Sequence, residues 1–260
     1  MASRLVVCCM DRRLVEVLKA RYDNRDSIIV SNAGANVRGL TSTISQLMSE
    51  NRFSEIHIVL HEDCFALRIV TDHLLRSKRA SADIYVHLVR QFEGRVKNEN
   101  EHDIILENKK LQIEQIGALF KRNQQHTSSR SDVPLAVYCT VLGLRDFILP
   151  SEALLAEKRS KHLIVSTPLA NNYRNLFTDS NAETYMTYAI IGGLGDIEND
   201  IEILVSTQDI ADISFVIQNE GQRRIMEKYR DRIRQLIRRH EISKGREIRM
   251  VIVLQPHRTL

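Results

Sequence analysis

Glu55-Ile56-His57-Ile58-Val59-Leu60-His61-Glu62-Asp63-Cys64 begins as an almost unbroken aliphatic run and ends with a histidine and a cysteine three positions apart. A continuous apolar run, as opposed to a strict alternation, suits a strand covered on both faces. Runs of the same kind recur at 5–9, 27–31, 135–141, 163–167, 201–206 and 249–254. Between them lie helical spacings: Leu14, Val17 and Leu18; Leu40, Ile44 and Leu47; then Leu111, Ile113, Ile116, Leu119 and Phe120. Strands alternating with helices predict an α/β fold with a twisted, largely parallel sheet and flanking helices. The polar stretches 97–103 and 124–132 predict exposed connections.

Working outward, the 260 residues are 43% hydrophobic and 27% charged, the balance of an ordinary globular protein. No apolar run approaches the roughly 18 residues needed to span a bilayer. Met1-Ala2-Ser3-Arg4-Leu5-Val6-Val7 enters a strand directly, without the pattern of a secretory signal, so a cytoplasmic location is expected. The cysteines, Cys8, Cys9, Cys64 and Cys139, are too few for a disulfide framework. In a reducing compartment such residues serve more often as metal ligands or nucleophiles. The net charge of +4 neither demands nor excludes a nucleic-acid partner.

The order of elements repeats. Leu163-Ile164-Val165-Ser166-Thr167 lines up with Leu5-Val6-Val7-Cys8-Cys9, and the 201–209 segment with 56–64. The helix Gln222–His240 and the strand 249–254 line up with the helix Glu107–Asn123 and the strand 135–141. The expectation is a duplication, with 1–150 as one copy and 151–260 as a shorter, degenerate one without a counterpart of the 26–38 block. On this alignment Thr167, Ser206 and Asp209 replace Cys9, His61 and Cys64. Hydroxyls are poor zinc ligands beside thiolate and imidazole, so one metal per chain follows.

Cys9-Met10-Asp11-Arg12-Arg13 and His61-Glu62-Asp63-Cys64 each close a predicted strand at its carboxyl end. In a parallel sheet those ends share the crevice where ligands bind. Two thiolates and an imidazole give zinc three of its four tetrahedral positions, and Asp11 could reach the fourth or hold what occupies it.

Cys9/Asp11/Arg13, then Asn32/Ala33/Gly34 after a strand, then His61/Cys64 after the next, resembles the β-class carbonic anhydrases, most closely their small microbial branch. The likeness runs through residues 1–75, and the strand at 135–148 carries it on. The resemblance implies a β-carbonic anhydrase-like fold, a dimeric core unit, and zinc held by Cys9, His61 and Cys64. It implies reversible conversion of carbon dioxide to bicarbonate by zinc-bound hydroxide, with Asp11 and Arg13 as the dyad governing the fourth zinc position. The two copies would then form that dimer within one chain. Where the family has Gly after the second ligand cysteine this chain has Phe65, and where it has Arg before Asn-Ala-Gly it has Ser31. Both departures bear on turnover and leave metal binding intact. Two other readings stand beside the lyase: a non-catalytic zinc-stabilised scaffold, and a hydrolase of carbonyl sulfide or carbon disulfide. The expected partner is a small-molecule substrate, with no membrane association.

Among the remaining features, Cys8 should face away from Cys9 into the core, and Cys139 should be buried. Glu62 and Asp63 read as solvated loop carboxylates. The Arg-rich helix from Gln222 reads as a solvated basic face over a stripe of Ile225, Tyr229, Ile233, Leu236 and Ile237, with an RNA or anionic partner as the lesser reading. Gly192-Gly193-Leu194-Gly195 is expected to precede a strand, which would deny it phosphate-cradling geometry.

Overall fold

The strands of the computed structural model are β1 (Arg4–Cys9), β2 (Ser27–Asn32), β3 (Glu55–His61), β4 (Ala136–Leu142), β5 (Lys161–Ser166), β6 (Met186–Ile191), β7 (Ile210–Ile217) and β8 (Arg249–Leu254). The helices are α1 (Val15–Tyr22), α2 (Thr41–Glu50), α3 (Phe65–Arg76), α4 (Glu101–His126), α5 (Glu198–Thr207) and α6 (Arg223–Lys244). The structure describes residues 3–22, 26–76, 88–96, 101–126, 135–143, 146, 161–167, 186–217 and 219–254.

All eight strands join one sheet, ordered β4-β3-β1-β2-β6-β5-β7-β8. Every pairing is parallel except β2 with β6, where Ser31 meets Ile191. The central strands are apolar on both faces, and both faces are covered. Leu5, Val6, Val7, Ile56 and Ile58 are fully buried, as are Leu163, Val165, Ile213 and Phe215. This is why these runs do not alternate. The edge strands are thinly covered: Tyr138 on β4 and Val251 on β8 are exposed.

Read inward from each edge to the antiparallel seam, the order β4-β3-β1-β2 recurs as β8-β7-β5-β6. Helices α2 and α5 each span 10 residues and close alike, Asn51 N–H donating to Leu47 O at 2.9 Å and Gln208 N–H to Leu204 O at 2.8 Å. Across the seam the contacts are reciprocal. Gly193 N–H donates to Thr43 Oγ1 on α2 at 2.6 Å, and Ala33 N–H donates to Asp200 Oδ1 on α5 at 3.2 Å. Ser31 Oγ donates to Ala189 O at 2.9 Å, so this hydroxyl bridges the two halves of the sheet.

Several expectations need correction. The expected strand at 201–206 is helix α5. Ile197, Ile201, Leu204 and Val205 fall at helical spacing and are all buried, and a short aliphatic run covered on every side carries no period to separate helix from strand. Ser206 therefore lies on a helix and Asp209 precedes β7, so neither occupies a strand-end position like those of His61 and Cys64. Sheet register sets the counterparts instead. Leu5 pairs with Ile56 and Leu163 with Ile213, so it is β7, and not the 201–206 run, that stands beside β5 as β3 stands beside β1.

In the sheet β6 stands beside β5 as β2 stands beside β1. Gly192-Gly193-Leu194-Gly195 thus joins a strand to helix α5 and does not precede a strand. Residues 101–103 and 124–126 of the expected connections belong to α4, and 97–100 and 127–132 lie outside the described residues. Among the described residues, no helix is long and apolar enough to cross a membrane.

Candidate metal centre

Cys9 ends β1 and His61 ends β3, both at the carboxyl edge of the parallel half-sheet. Cys64 arrives there because the chain reverses at Asp63, whose φ of 51° is left-handed. Asp tolerates that region better than most side chains. Cys64 then opens helix α3, with Arg68 N–H donating to its carbonyl at 2.9 Å. The donor atoms of Cys9, His61 and Cys64 all lie within 4.8 Å of one another and could hold a metal ion.

The two sulfurs are 3.8 Å apart. That is far beyond a disulfide bond, and the cysteines are free. Two thiolates each about 2.3 Å from a tetrahedral zinc would be separated by roughly 3.8 Å, so the spacing fits one ion between them. His61 Nδ1 lies 2.8 Å from Glu62 O. A carbonyl oxygen only accepts, so Nδ1 carries the proton and the neutral ring presents its lone pair on Nε2, toward the thiols.

The three donors are nearly sealed from solvent, at 5%, 1% and 2% exposure for Cys9, His61 and Cys64. Cys64 is held below the usual thiol range chiefly by the hydrogen bond from Cys9, with the amides of Leu67 and Ala66 assisting against burial. Cys9 is correspondingly pushed up, by its bond to Cys64 and then by burial. Burial pulls His61 down, but Cys9 and Asp11 outweigh it and leave the imidazole above its ordinary value.

Asp11 and Arg13 meet as expected. Arg13 Nε donates to Asp11 Oδ1 and Oδ2, each at 3.1 Å, and Nη2 donates to Oδ2 at 2.8 Å. Burial raises Asp11, but this fork and the neighbouring His61 prevail and hold the carboxyl below its usual range. Asp11 Oδ2 stands 3.8 Å from His61 Nε2. Asp63 is the residue that the sequence reading undervalued: it accepts from Arg13 Nη1 at 2.9 Å through Oδ2 and from Nη2 at 2.8 Å through its carbonyl. Arg13 therefore ties the Asp11 turn to the His61–Cys64 turn across 50 positions of sequence.

The loop after β2 is built by amides. Asn32 is fully buried, and its side chain both accepts from Asn36 N–H at 2.7 Å and donates to Asn36 O at 2.9 Å. Gly34 has φ of 72°, and a Cβ there would come within 3.5 Å of Ala66 on α3. From α4, Gln112 Oε1 accepts Val37 N–H at 2.8 Å and Gln115 Oε1 accepts Arg38 N–H at 3.0 Å. The signal for these was amides at helical spacing on an otherwise apolar face.

The sequence matches no known family model and no curated protein. The site thus rests on its own geometry.

Other expectations resolve residue by residue. Cys8 is fully buried on the opposite face, its Sγ 3.5 Å from Val30 O. Cys139 is half-buried, not buried, with its thiol pushed up to about 11 by desolvation. Phe65 lies under Arg68, whose guanidinium carbon is 5.8 Å from the ring centre. On α6 Tyr229, Ile233 and Ile237 are buried as expected and Leu236 packs partly against the core, but at the start of the stripe Met226 is buried in place of Ile225, which is 63% exposed. The basic face is largely matched by acids, Arg232 with Glu198, Arg234 with Glu247, and Arg239 with Glu202. That matching weakens the case for RNA, which needs cations available to phosphates.

Proposed function

We propose that Cys9, His61 and Cys64 bind one zinc ion and that the chain interconverts carbon dioxide and bicarbonate, as its resemblance to the β-class carbonic anhydrases implies. The observation that carries this reading is the fork of Arg13 on Asp11 beside the three donors. A cluster that merely stapled the fold would have no use for a carboxylate held there in its ionised form.

Zinc, when bound, supplies a Lewis acid that brings the pKa of water toward neutrality. Asp11, held below the usual carboxylate range, acts at Oδ2 as a hydrogen-bond acceptor that orients a reacting molecule, and is too weak a base to take its proton at neutral pH. Arg13 keeps that carboxylate turned to itself, and Asp63 fixes Arg13 from the other side. Glu62 O holds the tautomer of His61 in which Nε2 can serve as a donor atom.

The near-complete burial of all three donors favours a second reading, a closed zinc site in a non-catalytic scaffold, since structural sites are closed and catalytic ones keep a position open. Stopped-flow carbon dioxide hydration separates the two. Turnover by the zinc-loaded protein that falls at least about 100-fold in Asp11→Ala, with zinc retained, supports the lyase. Zinc-loaded wild-type protein without turnover refutes it and leaves the scaffold.

The repeated strand order, the matched helices and the reciprocal seam contacts support a tandem duplication, with 1–150 carrying the metal and 151–260 a degenerate copy. The pair would form within one chain the dimeric unit that the family forms from two.

A further inference from the structure

The loop Gly192–Gly195 follows β6 as Ala33–Ala35 follows β2, and its first two glycines are engaged in packing. A Cβ on Gly192 would meet Ile197 Cγ2 at 2.6 Å and Leu40 Cδ2 at 2.8 Å, and one on Gly193 would meet Thr43 Oγ1 at 2.9 Å. Gly193 N–H is already given to Thr43. These glycines serve close approach of the loop to α2, and the amide an anion would need is engaged.

That approach frames a cavity of about 220 Å³ at the carboxyl edge of β5 and β6. It occupies, in the second set of four strands, the crevice that the cysteine–histidine cluster occupies in the first. Thr167 lines it at the end of β5, where β1 has Cys9. Its walls are Leu47, Leu194, Ile225 and Met226, of which Ile225 is 63% exposed. The polar groups are neutral hydroxyls and amides, with Glu50 the one ionisable side chain among the described lining residues. Glu50 Oε1 accepts from Gln46 Nε2 at 2.8 Å.

We infer that this cavity is a second ligand site, for a small uncharged molecule with a ring-sized apolar body and one hydroxyl or amide. The volume exceeds the roughly 150 Å³ that suffices for benzene in an apolar protein cavity. An apolar lining with a few convergent polar groups at a strand-end crevice is the usual make-up of a small-molecule site. Charge sets the class. An anion would face Glu50, and a cation would face the amino end of α6, whose N-cap residue Gln222 lines the cavity. A neutral ligand meets neither penalty. The inference is independent of the metal site and of its chemistry.

The test is titration of the full-length, metal-loaded protein with benzyl alcohol, benzoate and benzylamine, followed by protein NMR. Benzyl alcohol should saturate at one per chain and bind at least about threefold more tightly than either charged probe. Ile225→Trp, at a position exposed enough to tolerate bulk, should fill the mouth and weaken benzyl alcohol at least tenfold without unfolding the chain. Glu50→Gln should bring benzoate to within about twofold of benzyl alcohol. The inference is overturned if none of the probes saturates, if either ion binds as tightly as the alcohol to the wild type, or if Ile225→Trp leaves binding unchanged. It is equally overturned if stripping the metal abolishes binding, which would assign the probe to Cys9, His61 and Cys64.

Discussion

Asp200 gives this protein a pH dependence of stability that a single substitution should erase. Its carboxylate is 4% exposed, accepts Ala33 N–H across the seam, and lies near Asp196. Burial, against the Ala33 hydrogen bond and with the repulsion of Asp196, raises its pKa from 3.8 to about 7. A raised carboxylate favours the folded state fully below the unfolded pKa, and that advantage is lost as pH rises through the folded value. At 1.36 kcal/mol per pH unit the whole loss is about 4 kcal/mol, and about 2.5 kcal/mol of it falls between pH 5 and pH 8. Asp200→Asn keeps an acceptor for Ala33 N–H and cannot ionise. Urea unfolding of both proteins at pH 5 and pH 8 isolates the effect, because every other titrating group cancels in the difference. The variant should be the more stable at pH 8, by a margin about 2–3 kcal/mol larger than at pH 5. Parallel pH profiles, or a variant less stable at pH 8, would mean that burial does not raise Asp200 in the folded protein.

Gly192→Ala should destabilise by about 1–3 kcal/mol through overpacking against Ile197 and Leu40, while Gly195→Ala, whose Cβ would meet nothing within 4 Å, should be near neutral; thermal melts check both. Arg13→Ala should cost about 2–3 kcal/mol in urea unfolding by leaving the Asp11 carboxylate buried without its cation, whereas Asp63→Asn, at a half-exposed pair, should cost under about 1 kcal/mol. Cys8→Ala should lower stability by about 1 kcal/mol and leave metal content unchanged, and Cys9→Ala should abolish metal retention, as metal analysis after dialysis will show.

The candidate metal site was legible in the sequence because its parts are short and sit at strand ends: Cys9, Asp11, Arg13, His61 and Cys64 come together in the fold. Strands β1, β2, β3, β4, β5 and β8 were legible because runs such as Leu5–Cys9 sit between helical spacings or turns. What failed was the interior of the second half. Ile201–Val205 is as β-branched as a strand, yet it is a helix buried all round, and reading it as a strand hid both β6 and β7. The anchors of the site also escaped notice. Asp63 looked like any loop acid, because its value lies in meeting Arg13 from 50 positions away. Gln112 and Gln115 carry no motif and act only by reaching the backbone at Val37 and Arg38. Contacts of that kind exist only once the sheet has set the distances.

The claim on which the rest depends is that one metal ion is held by two sulfurs and an imidazole. Zinc content together with X-ray absorption at the zinc edge of the purified protein tests it most directly. One zinc per chain is expected, with two sulfur neighbours at about 2.3 Å and an imidazole nitrogen at about 2.0 Å. Protein without tightly bound metal, or a zinc surrounded only by oxygen and nitrogen, would contradict it.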